Sequence, residues 1–194
     1  YIFIVYCGDV MYVNDVGEEF LYDKKGDSWY LVPIGDIHIG DKGCDVEKLR
    51  RLVDWVKEKP NCLWIGMGDM ANCINYTDKR FDPSTVASGY LEHLDDVVEQ
   101  QYGDLDKILS PIRDKCIGLH TGNHEETIRK RYHFDMVHRF CSDWGVPFLG
   151  YSAFSLLHFR RKRSKSRVLV TVYSTHGAAG GRYKGGKVNR MQRL

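Results

Sequence analysis

Four apolar runs in this chain stop abruptly and hand over to metal-ligand residue types. "WYLVPIG" (29–35) is followed by Asp36 and His38, and "CLWIGMG" (62–68) by Asp69. "CIGLHTG" (116–122) is followed by Asn123 and His124, and "RVLVTVYST" (167–175) by His176. Runs of this length, bounded by glycine and rich in β-branched and aromatic residues, read as buried strands. Between the first three lie stretches with helical periodicity. In 46–59, for example, Val46, Leu49, Leu52, Val53 and Val56 recur at helical spacing until Pro60. Strand and helix alternate first and paired strands follow, so the pattern predicts an α/β fold with a mixed sheet. In such sheets ligands bind beyond the carboxyl ends of the strands. The polar residues above therefore converge in space although they are far apart in sequence.

The remaining segments fill in around that frame. Residues 1–28 predict a hairpin or small meander, with turn signals at Asn14-Asp15 and Lys25-Gly26-Asp27. Residues 89–109 read as one helix and 124–144 as another, closed by Gly145 and Pro147. Residues 72–88 are polar and irregular. With the helix that follows they form an insertion over 72–110, either a lid offering Lys79 or Arg80 to a substrate or a long connection. "HGAAGGRYKGGKVNRMQRL" (176–194) reads as a glycine-rich loop running into a helix, and its "GGRYKGG" would suit a phosphate.

Length and charge narrow the function classes. The 194 residues suit one domain, 1–194, with a real core. A net charge of +2 does not mark the molecule as a whole as a nucleic-acid or membrane binder. No run is long and apolar enough to span a bilayer. "YIFIVY" at the start lacks a basic leader and a cleavage site, so it does not read as a signal peptide. Six scattered cysteines without a C-x-x-C pair exclude a zinc ribbon and suit reduced thiols in a cytoplasmic setting. The run "RRKRSKS" (160–166) is either a nucleic-acid patch or the solvated tip of a hairpin. Its lack of interleaved aromatics favours the tip.

Carboxylates, imidazoles and an amide form a mixed oxygen and nitrogen donor set. It suits Mn²⁺ best, with Fe, Zn²⁺ or Ni²⁺ as alternatives, rather than Ca²⁺ or a soft metal. Asp36 and His38 alone would more often be a turn pair, and Asn123 suits a helix N-cap. Glu125 and Glu126 read as first-turn acids, and His120 as structural. Asn72 reads as a loop residue or as an orienter of Asp69.

The ordered series GD-x-H (35–38), GD (68–69), GNHE (122–125) and strand-end His-Gly (176–177) resembles the calcineurin-like metallophosphoesterases. The likeness runs from about Pro33 to His176. It implies a four-layer α-β-β-α sandwich of two mixed sheets flanked by helices, and two divalent metal ions at one edge. By that resemblance Asp36 and His38 are ligands of the first metal, Asp69 bridges, and Asn123 and His176 are ligands of the second. His124 is then the catalytic, non-ligand imidazole that contacts the phosphate and helps protonate the leaving oxygen. A hydroxide between the metals would attack the phosphorus of a phosphomonoester or phosphodiester in line. The family's later G-H-x-H motif does not occur before Leu194, which suggests a chain cut short of it. Other readings are a non-catalytic scaffold on the same fold and a nucleic-acid-binding protein using the basic hairpin.

Overall fold

The computed structural model describes residues 2–6, 9–74, 76–92 and 94–177. Among them eight strands form two four-stranded sheets. The first joins β1 (Ile2–Tyr6), β2 (Asp9–Tyr22), β7 (Ser152–Arg161) and β8 (Arg167–Thr175) in that order. It is mixed: β2 pairs β7 in parallel, and the two outer pairs are antiparallel. The second sheet joins β3 (Tyr30–Ile34), β4 (Cys62–Gly66), β5 (Cys116–His120) and β6 (Phe148–Gly150).

All pairs in the second sheet are parallel, which corrects the expectation of two mixed sheets. The cause is the connectivity. A helical crossover follows each of its first three strands and returns the chain in the same direction. These crossovers are α1 (Val46–Glu58), then α2 (Ser88–Leu91) with α3 (Val97–Leu109), then α4 (Asn123–Tyr132) with α5 (Met136–Trp144).

A parallel sheet is covered on both faces, and β4 shows it, being buried along its whole length. Leu63 and Ile65 pack toward the mixed sheet with Phe20, Ile117, Leu149, Ala153 and Leu157. Cys62 and Trp64 pack on the other face with residues of α1, α3, α4 and α5. The Trp64 indole N–H donates to the Ile112 carbonyl at 2.7 Å, so its one polar atom is satisfied. Two buried polar bonds lock the sheets together. Asn14 donates to the Ile117 carbonyl at 2.8 Å. His120 bridges the Gly150 carbonyl (2.9 Å) and the Ser174 hydroxyl (2.7 Å), as a structural histidine should.

The local departures from expectation have local causes. Asn14-Asp15 makes no turn: β2 runs through it, because Asn14 is buried against β5, and a bulge between Asp15 and Glu19 absorbs the irregularity. The helix expected over 89–109 is interrupted between Leu91 and Val97, where Asp95 and Asp96 favour a cap over a helix interior. The helix expected over 124–144 breaks at His133, which takes a left-handed conformation (φ 55°). Asp135 then caps α5 by accepting from the His138 N–H at 3.0 Å. β6 and β7 are adjacent in sequence but lie in different sheets. Gly150 (φ 60°) makes the switch, and a side chain there would run into the Tyr12 ring. The glycine-rich stretch 178–194 and its "GGRYKGG" lie outside the described residues, as do Cys7 and His93. The other five cysteines are free thiols. No described helix is long and apolar enough to cross a membrane.

Burial pushes the His120 imidazole down to about 4 from its ordinary 6.5. The unfolded chain therefore takes up a proton that the folded one refuses as the pH falls from 6.5 to 4, and stability declines over that window. Urea unfolding should show this loss, at up to about 1.4 kcal/mol per pH unit from this one group. His120→Gln should flatten the dependence in the same window. An unchanged slope would mean that His120 charges freely in the fold.

Candidate metal centre

The carboxyl ends of β3, β4, β5 and β8 meet at one edge of the two sheets, and each delivers its polar residues there. The β3 and β4 loops keep pairing after the strands end. Asp36 N–H donates to the Gly68 carbonyl (3.0 Å), His38 N–H to Asp69 (3.1 Å) and Ile39 N–H to Met70 (3.0 Å). Asp36, His38 and Asp69 all hold left-handed backbone, with φ of 49°, 50° and 49°. That conformation costs a non-glycine residue about 1 kcal/mol or more. The three cross-loop bonds are what offset it.

Glu125 fastens the second and third loops. Its carboxylate is buried (2% exposed). It accepts from the backbone N–H groups of Asp69 (3.1 Å), Met70 (2.7 Å), Ala71 (3.1 Å) and Gly122 (3.1 Å). Burial pushes its pKa up, and the N–H bonds oppose that by favouring the charged form. Gly122 is the N-cap of α4, and Asn123 is the first helical residue rather than the cap. A side chain on Gly122 would collide with the Asp69 carboxylate, so only glycine lets the two loops approach this closely.

Asp69 sits at the middle of the cluster. One oxygen accepts from the His124 backbone N–H at 2.9 Å, and the other lies 3.4 Å from His176 Nε2. Burial raises its pKa, but His176 and the His124 N–H outweigh that and hold the carboxyl below its usual range. On one side, His38, Asp69 and His124 place one ligand atom each within 4.8 Å of one another. The His38 and His124 rings meet edge to face at 4.6 Å. Burial, then the neighbouring His124, keeps His38 below its ordinary pKa. On the other side stand His176 and Asn123, with His176 Nε2 3.5 Å from the Asn123 side-chain oxygen. Asp36 stands outside the triad, but its charge helps raise both His38 and His176.

The hydrogen bonds of His124 and His176 fix which ring nitrogen of each is free. His124 Nδ1 donates to the Asn72 carbonyl, and His176 Nδ1 to the Met67 carbonyl at 2.7 Å. This tautomer leaves Nε2 of each ring as the nitrogen available to a cation or a substrate. His176 Nε2 faces the Asp69 carboxylate at 3.4 Å, and that contact raises the His176 pKa to about 9. Imidazole nitrogens gathered around a carboxylate form a mixed nitrogen and oxygen donor set that fits a divalent cation.

Sequence reasoning placed Asp36, His38, Asp69, Asn123, His124 and His176 at one edge, and the four loops that carry them meet there. It missed the role of Glu125, whose signal was its place three residues after Gly122, the N3 position from which a carboxylate reaches back to the N-cap N–H. Asn72 acts through its backbone carbonyl on His124. Arg80 is occupied: it makes two bonds to the buried Asp78 (3.1 and 3.0 Å), which Arg131 also contacts at 3.2 Å. Arg80 first, and then Arg131, holds Asp78 down to about 2. The stretch around them is fastened rather than loose, through Lys42 N–H to Thr85 (2.8 Å) and Ala87 N–H to Gly40 (2.9 Å).

Glu125→Gln should destabilise the fold by about 2–3 kcal/mol, because an amide offers one acceptor where four backbone donors converge. Chemical denaturation checks it, and a loss under about 0.5 kcal/mol would contradict the clamp.

No family model, curated protein or solved structure matches this chain.

Proposed function

We propose that this protein is a metal-dependent phosphoesterase acting on a phosphomonoester or phosphodiester, with two divalent cations, Mn²⁺ foremost, at the strand-end cluster. The observation that carries the reading is the position of Asp69, which has a carboxylate oxygen within 4.8 Å of His38 and His124 ligand atoms and its Oδ2 3.4 Å from His176 Nε2. Asp36, His38 and Asp69 would hold the first ion, and Asp69, Asn123 and His176 the second. Bound there, such ions supply Lewis acidity toward a phosphoryl oxygen and lower the pKa of a water.

The chain's own residues do the rest. Asp69 fixes the spacing of the half-sites, and Glu125 fixes Asp69. His124 is held by Asn72 through Nδ1, which leaves Nε2 to contact the substrate phosphate. When protonated, it would donate to the leaving oxygen as a general acid. Met67 does for His176 what Asn72 does for His124. The four-layer sandwich belongs to the same proposal. The described helices cover the parallel sheet, and the outer face of the mixed sheet, with Leu21 and Leu169 exposed, is where the fourth layer would lie.

The test is Mn²⁺-dependent hydrolysis of an aryl phosphodiester and an aryl phosphomonoester, with a chelated control. His124→Ala should lower turnover by about 10²–10⁴-fold and leave metal content nearly unchanged. Asp69→Ala should lower both. Full metal content in Asp69→Ala would remove the shared-carboxylate assignment. Metal loss in His124→Ala would make His124 a ligand instead. Bound metal without turnover on either ester would favour a scaffold over an enzyme.

A further inference from the structure

A second concave site lies at the other end of the mixed sheet. From Val168 to Thr175 strand β8 advances seven residues, about 24 Å, so this site is well removed from Asp69. Here β7 and β8 run past the cover of the parallel sheet and leave a groove of about 530 Å³. Its walls include Tyr22, Trp29, Phe159 and Val168, and Lys25 and Arg161 stand at its rim. Val168 is 50% exposed, although its strand position faces inward. Trp29 is fixed by ring contacts with Phe20 (5.2 Å) and Phe159 (5.7 Å), so the aromatic wall is preformed.

The charge around the groove is one-sided. In the two segments that frame it, 18–29 and 160–167, Lys24, Lys25, Arg160, Arg161, Lys162, Arg163, Lys165 and Arg167 stand against Glu18, Glu19, Asp23 and Asp27. Glu19 pairs with Arg160 and Arg167, and Asp23 with Lys162. Asp27 lines the groove, but one of its oxygens accepts the backbone N–H groups of Asp23 and Lys24. Among the described residues, Lys25, Arg161, Arg163 and Lys165 have no carboxylate within ion-pair distance. The Arg161 Nε donates to the Asp23 carbonyl at 3.0 Å, which anchors the side chain without neutralising it.

The basic run has no aromatics of its own, which favoured a solvated tip on sequence alone. The fold supplies them from elsewhere, Tyr22 from the end of β2 and Trp29 from the segment before β3. Preformed aromatic faces beside unpaired cations match nucleobases stacked along a phosphate backbone. A duplex hides its base faces, and a membrane surface calls for apolar residues that protrude rather than line a recess. We propose that this groove binds single-stranded nucleic acid, at a site separate from the strand-end cluster.

The test is fluorescence anisotropy of a labelled twelve-residue oligothymidylate with the whole chain, in chelator, so that the outcome does not depend on the phosphoesterase reading. Binding should weaken with salt with a log–log slope of about −2 to −3, for three or four phosphates neutralised. Tryptophan fluorescence should be quenched on binding, and Trp29→Phe should remove most of that quenching. Lys25→Glu with Arg161→Glu should weaken binding at least about tenfold without lowering the melting temperature, and Asp69→Asn should bind like the wild type. No binding, equal affinity in the charge-reversed variant, quenching that persists in Trp29→Phe, or equal affinity for the matching duplex would each overturn the proposal.

Discussion

The buried carboxylate of Glu125 is the constraint on which the candidate centre depends. Four backbone N–H groups from two loops converge on its two oxygens. Without that acceptor, Asp69, Met70 and Ala71 would bury donors that no strand partner satisfies, because their strand has already ended. With it, the β4 loop is drawn against the start of α4, and Asp69 meets the His124 N–H. Glu125 thus sets the position of Asp69.

The sandwich supplies the second requirement, a fixed relation between the two sheets. His176 arrives on the mixed sheet, whereas Asp36, His38, Asp69, Asn123 and His124 arrive on the parallel one. Any sliding of one sheet on the other would separate His176 from Asp69. The bonds from Asn14 to Ile117 and from His120 to Ser174 prevent it, and Ser174 lies two residues before His176. Apolar packing between Ile65, Leu149 and Leu157 gives cohesion, but apolar contact is non-directional. The buried polar pairs give register.

Much of this was legible in the sequence, for identifiable reasons. Strand ends announced themselves because a continuous apolar run followed by glycine and a polar residue has few other uses. The six residues at the edge followed from that alone. Helix breaks were misread because an aspartate at an N-cap position, Asp96 or Asp135, looks the same as a surface aspartate until the chain path is known. Asn14-Asp15 was misread because a turn propensity was overridden by a buried amide with a partner about a hundred positions away. The parallel sheet follows from the helical crossovers, and only its mixed label was wrong. The aromatic wall beside the basic hairpin was not legible at all, since Tyr22, Trp29 and Phe159 come from three separate segments.

The central claim is that Asp69 joins two half-sites into one centre. Electron paramagnetic resonance of the whole chain titrated with Mn²⁺ tests it most directly. Two ions sharing a carboxylate should give an exchange-coupled spectrum that grows to two Mn²⁺ per chain and is lost in Asp69→Asn. A spectrum of isolated Mn²⁺ at every ratio, or a coupled spectrum that survives Asp69→Asn, would contradict the account.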